Sequence, residues 1–173
     1  MINGEGNLRR QYPELDEDQY QPAGIDLTLG MVSEFEYNEG TTYGLLKHAK
    51  VLPNLTELET KTMQVGGMLV DVFVLEPHTT YIGTTAEFIN IDDQSGQFYL
   101  PRSSLLRASI DVRTAFGDPG FHGHLSFLLV NYTDKPFVIE KGVRFSQLVD
   151  MNVIAPLSEY DGDYNEEWDS FNY

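Results

Sequence analysis

The sequence predicts an all-β protein, on three observations. Short runs rich in Val, Ile, Phe, Tyr and Thr recur along the chain, Gly, Pro, Asn and Asp punctuate them, and apolar spacing at the helical period is scarce. In chain order, the first predicted strand is Gly24 to Leu29. Residues 33–66 follow, polar and irregular with Glu34, Glu36, Glu39, Glu57 and Glu59, and are expected to form a peripheral insertion or hairpin without chemistry of its own. Met68 to Leu75 and Thr80 to Thr85 are the next strands, and a short helix is expected at Ser103 to Ala108. Its first turn begins at paired serines, where backbone N–H groups and hydroxyls point the same way and can receive an anion. Leu125 to Val130, Phe137 to Glu140 and Arg144 to Val153 complete the set. DKP at 134–136 and EKG at 140–142 divide these later runs at the close spacing of antiparallel neighbours, as in a sandwich or barrel.

A length of 173 residues suits one domain, here residues 1–158, followed by a tail at 159–173. The tail carries six acidic residues, no basic ones, and the aromatics Tyr160, Tyr164, Trp168, Phe171 and Tyr173, a composition expected to stay mobile. The absence of cysteine excludes disulfides, thiolate metal sites and cysteine nucleophiles. No apolar run approaches membrane-spanning length and MINGEGNLRR lacks a signal peptide's apolar stretch, so a soluble, cytoplasmic protein is expected. The net charge of −16 argues against nucleic acid and anionic membranes as partners. Residues 100–147 run against this trend, with six basic residues to four acidic ones. That segregation suits a pocket for a small polyanion, although an acidic surface serving only solubility accounts for it equally.

Four blocks then line up in order: QPAGIDLTLG (21–30), PRSSLLR (101–107), DPGFHGHLSFLLVN (118–131) and GVRFSQLV (142–149). Together they resemble the dUTPase and dCTP deaminase superfamily, and QPAGIDL and DPGF are most similar to the archaeal-type, deaminase-like trimeric dUTPases. The resemblance spans most of residues 21–153. It implies a distorted jelly-roll subunit, a homotrimer with active sites at subunit interfaces, and a pyrimidine deoxynucleoside triphosphate such as dUTP, bound with Mg²⁺ carried mainly by its phosphates.

Each block also has a physical reading. A triphosphate needs charge-assisted donors, and Arg102 with Ser103 and Ser104 at a helix start supplies them. By itself RSS would as readily be a capped surface helix with solvated arginines. The resemblance makes Gln147 a phosphate-binding glutamine, with Arg107 a further candidate. It makes Asp118 the group that positions and activates the attacking water, a role a carboxylate near phosphate can fill. Asp-Pro-Gly alone would be an ordinary turn. Phe121 matches the aromatic that packs on deoxyribose, and Thr114 and Ala115 fall in the nucleoside-binding segment, where backbone groups around Ser109 to Gly117 select the base. Asp26 matches an aspartate implied to support the metal-and-phosphate region indirectly. His122 and His124 alternate on one side of a strand, yet without further ligand types nearby they are expected to be surface or core histidines.

The superfamily's two chemistries separate at one position. In deaminases a glutamate shuttles the proton beside the base, and its place here holds Leu128, which can neither give nor take one. Hydrolysis of dUTP to dUMP and pyrophosphate is therefore the leading expectation and dCTP deamination the runner-up. The dUTPase pattern also has an arginine-bearing, glycine-rich tail, whereas this tail lacks arginine and would lay six carboxylates towards a triphosphate. Phe171 or Trp168 stacking on uracil would be one remedy. A catalytically weak, nucleotide-binding regulator of the same fold is the third reading.

Overall fold

The β-rich runs become fifteen strands in the computed structural model, which describes residues 5–153, 158, 160 and 161. In chain order these are β1 (Tyr20–Gln21), β2 (Gly24–Glu36), β3 (Gly44–Leu46), β4 (Ala49–Val51) and β5 (Asn54–Glu57). There follow β6 (Lys61–Val65), β7 (Met68–Leu75), β8 (Thr80–Thr85), β9 (Ile89–Asn90) and β10 (Ser95–Pro101). The remainder are β11 (Ile110–Arg113), β12 (His122–Gly123), β13 (Ser126–Asn131), β14 (Phe137–Glu140) and β15 (Arg144–Asn152). Two short α-helices, α1 (Glu5–Gln11) and α2 (Ser103–Arg107), and one 3₁₀ turn, Glu17–Gln19, accompany them.

The main sheet is antiparallel, in the order β10-β15-β2-β8-β13-β11. Its outer members β10 and β11 come together beyond the end of β11, where Gln97 and Gly117 exchange backbone hydrogen bonds of 2.9 Å in both directions. A nearly closed, barrel-like sheet results, and closure removes free edges that would otherwise seek partners. Inside it Phe127 meets Phe145 and Tyr99 edge-on, with centroids 4.9 and 5.8 Å apart, the geometry aromatic quadrupoles favour.

Four features differ from the sequence-based expectation. β2 continues past Leu29 to Glu36, because a register shift between Leu29 and Met31 lets it leave β15 and pair with β8 and β5. β13 starts at Ser126, since the Leu125 N–H donates to the Thr85 hydroxyl. α2 ends at Arg107, and the Ala108 N–H caps it on the carbonyls of Ser104 and Leu105. α1 was not expected at all; a helix this short depends on tertiary burial, here the fully buried Leu8, with Tyr12 just beyond its end.

β10 has its polarity inverted. Ser95, Gln97 and Tyr99 face inward, while Phe98 and Leu100 point outward at 51% and 52% exposure. β2 and β15 approach so closely at Gly24 that a Cβ there would run into the Leu148 carbonyl oxygen, a backbone atom that cannot rotate away. Gly24→Ala is therefore expected to lower stability by about 1–3 kcal/mol, read as a lower denaturant midpoint with an unchanged slope.

Candidate active site

The chain leaving β11 turns at Asp118-Pro119-Gly120, where the Phe121 N–H donates to the Asp118 carbonyl. Just before the turn, the Thr114 hydroxyl donates to the Ser126 carbonyl at 2.7 Å, which ties this segment to β13. Thr114, Ala115, Gly117, Asp118 and Phe121 thereby line one pocket of about 490 Å³. Asp118 is exposed to solvent and Phe121 is buried, so a charged group and an apolar surface share the cavity.

Leu52, Pro53 and Leu55 line the same pocket, with Phe35 and Ile82. Residues 33–66, for which the sequence suggested no chemistry, thus contribute apolar lining to this pocket. β5 pairs with β2 in a register that sets Leu55 opposite Phe35, and the pairing brings the segment to the cavity. The available signal was the apolar run Val51-Leu52-Pro53 among polar and acidic neighbours.

His124 also lines the pocket and is half-buried. Its Nδ1 lies 3.0 Å from the Thr85 carbonyl, so that nitrogen carries a proton, and the ring stands edge-on to Phe88. His122 points its Nδ1 at the Gly120 carbonyl. Among the described residues no three His, Cys, Asp or Glu side chains stand close enough to share a metal ion. Tyr160 reaches back to the cavity, with its N–H on the Pro119 carbonyl at 2.7 Å and its ring edge-on to Phe121 at 5.6 Å. Trp168 and Phe171 lie outside the described residues.

A second constellation gathers where α2 begins. The ladder register places Gln147 beside Asp26 on β2 and Leu100 on β10, and Arg102 follows directly after β10. Asp26 is 4% exposed and its carboxylate accepts from the Arg102 guanidinium, with Arg144 Nη1 a further 3.7 Å away. Burial pushes the Asp26 carboxyl above the usual carboxylate range, although the guanidiniums of Arg102 and Arg144 oppose it. Ser103, Ser104 and Arg107 are exposed at the helix, and Arg107 Nη1 donates to the Ser103 hydroxyl at 3.0 Å. Arg144, given no role from sequence, stands between Asp26 and Asp18, 3.4 Å from the latter's carboxylate.

The two constellations lie apart within one chain. From the Gln97–Gly117 bridge to Arg102, β10 runs roughly 17 Å at the rise of an antiparallel strand. Removing Arg102 leaves the buried Asp26 with less positive charge and raises its pKa further, and a raised carboxyl pKa contributes stability at low pH that is lost as pH rises through it. Arg102→Ala is expected to cost about 1–3 kcal/mol at pH 8 and less at pH 5, checked by thermal melts at both values.

Comparison with known proteins agrees with the fold. A family model described as dCTP deaminase-like matches residues 3–152. The Methanopyrus kandleri protein named "Probable deoxyuridine 5′-triphosphate nucleotidohydrolase" is 42% identical over 95% of this chain and 99% of its own length. A Methanothermobacter thermautotrophicus protein of the same name is 36% identical over 96% of this chain and all of its own. Among solved structures, the 2′-deoxycytidine 5′-triphosphate deaminase from Agrobacterium tumefaciens superposes with a TM-score of 0.63 at 23% identity, over 88% of this chain and 47% of that one. With the family match running from ahead of α1 to the end of β15, the chain belongs to the dCTP deaminase-like family.

Proposed function

We propose that this protein hydrolyses dUTP to dUMP and pyrophosphate. The observation that carries the reading is the convergence of Asp118, Thr114, Ala115 and Phe121 on one pocket, from positions that the family resemblance had nominated. The archaeal relatives with nearly full-length matches bear the name of that activity.

In this reading Phe121 packs on the deoxyribose, and backbone groups of the 109–117 segment read the base. Asp118 orients a water towards the α-phosphorus and takes its proton as the new P–O bond forms. The bond from the α-phosphorus to the bridging oxygen breaks, and pyrophosphate leaves. Arg102, Ser103, Ser104 and Gln147 hold phosphate oxygens, with charge-assisted donors bearing most of the load. Arg102 reaches that task already oriented by Asp26. Mg²⁺ fits an exposed carboxylate beside a substrate that brings its own oxygen ligands, and when bound supplies charge neutralisation on the phosphates. Asp118 is the residue that would face it.

The separation of the nucleoside and phosphate constellations favours a site shared between copies, in a homotrimer. Phe98, Leu100 and Phe116 support assembly, since they present apolar surface on the outer side of β10 and the adjoining loop. Deamination of dCTP is disfavoured by Leu128, which sits on β13 opposite Ile82 and Arg113 and offers no proton-transfer group.

The test offers dUTP and dCTP separately to the purified protein with Mg²⁺ and follows pyrophosphate and ammonia. Pyrophosphate from dUTP without ammonia from dCTP is expected; ammonia would transfer the reading to the deaminase. Asp118→Asn is expected to lower turnover by about 10²–10⁴-fold while nucleotide binding persists.

A further inference from the structure

Behind the pocket wall lies a buried polar cluster that the mechanism above does not use. Gln97 and Asp150 are cross-strand partners on β10 and β15, and both are 0% exposed. The Gln97 Nε2 divides its two protons between Asp150 Oδ1 at 3.2 Å and the Tyr12 hydroxyl at 3.1 Å. Its Oε1 accepts from the Tyr99 hydroxyl at 2.8 Å. Ser95 Oγ reaches the other Asp150 oxygen at 3.3 Å, and the Tyr12 hydroxyl continues to the Asn90 carbonyl. Every hydrogen-bonding group of the Gln97 amide is thus engaged, which fixes its rotamer.

The same residue closes the barrel. The Gln97 backbone exchanges two 2.9 Å hydrogen bonds with Gly117, the residue directly before Asp118. Gly117 also lies against the cluster, since a Cβ on it would stand 2.5 Å from the Tyr99 hydroxyl and 2.7 Å from Ile91 Cδ1. Burial pushes the Tyr12 phenol up to about 12 and raises that of Tyr99 too, so both keep their protons across any working pH.

We infer that Gln97 and Tyr99 are positioning residues for Asp118, acting through Gly117 as a clamp that locates the carboxylate. The inference rests on the reading of Asp118 as the water-activating group. A clamp of this kind shows in turnover more than in affinity, because a displacement of about 1 Å in a reacting group can cost a hundredfold in rate. A cluster serving only core stability would shift melting temperature and leave the turnover of the folded enzyme alone.

A double-mutant cycle with Tyr99→Phe and Gly117→Ala tests it on the full-length protein, with kcat and KM for pyrophosphate release and amide hydrogen exchange at Gly117 as readouts. Gly117→Ala is expected to lower kcat at least about tenfold with little change in KM. Tyr99→Phe alone lowers kcat modestly and speeds exchange of the Gly117 amide. Placed in the Gly117→Ala background it restores part of the lost turnover, because the hydroxyl that opposes the new methyl group is gone. Unchanged kcat in Gly117→Ala, or two losses that simply multiply, would overturn the clamp. Should Gly117→Ala fail to fold, Tyr99→Phe decides by kcat and exchange together, and no change in either refutes the proposal. Should the parent protein release no pyrophosphate from dUTP, the proposed activity fails by itself, and Gly117 exchange in Tyr99→Phe still decides whether the clamp exists.

Discussion

The pair of backbone hydrogen bonds between Gln97 and Gly117 is the constraint on which the arrangement of this molecule turns. Without it the main sheet is an open path with β10 at one end and β11 at the other. With it the path returns on itself, and the point of return is the residue before Asp118. Barrel closure and placement of the candidate catalytic carboxylate are therefore one event. The packing inside is continuous with it: Tyr99 donates its hydroxyl to Gln97 and stands edge-on to Phe127, which stands edge-on to Phe145, so the polar cluster runs into the aromatic core.

β10 sends groups of three kinds in three directions. Its inward polar face is satisfied by β15 and Tyr12, its outward apolar face suits contact with another copy, and its end delivers Arg102. Arg102 and Arg144 converge on one buried carboxylate rather than spreading into solvent. Burying Asp26 is unfavourable for its charged form, and the guanidiniums offset that cost while gaining a fixed direction. The two guanidiniums are thus held between one buried carboxylate and the exposed Asp18, in a chain whose net charge is −16.

Legibility in the sequence followed the range of the interactions. Asp118, Phe121, Thr114 and Ala115 lie within one short stretch, so their motif survives without knowledge of the fold, and they do meet in one pocket. Strands β7, β8 and β14 were readable to the residue because turn formers bracket them. Leu52, Pro53 and Leu55 were missed because only the pairing of β5 with β2 carries them to the cavity. α1 was missed because its stability comes from Leu8 in the core.

By itself, then, the sequence determined the all-β class, the acidic character, the four blocks and a leucine at 128, where the resemblance places a deaminase's glutamate, all properties of residue type and near-neighbour order. Tertiary structure alone decided that Gln97 faces Gly117 and Asp150, that Arg102 and Arg144 share Asp26, and that the pocket beside Gly117 and the guanidinium of Arg102 stand at different ends of β10. The physical reason is that strand register is set by cross-strand burial and hydrogen bonding between residues far apart in the chain. A glutamine, a glycine and an aspartate carry no local mark of such partners.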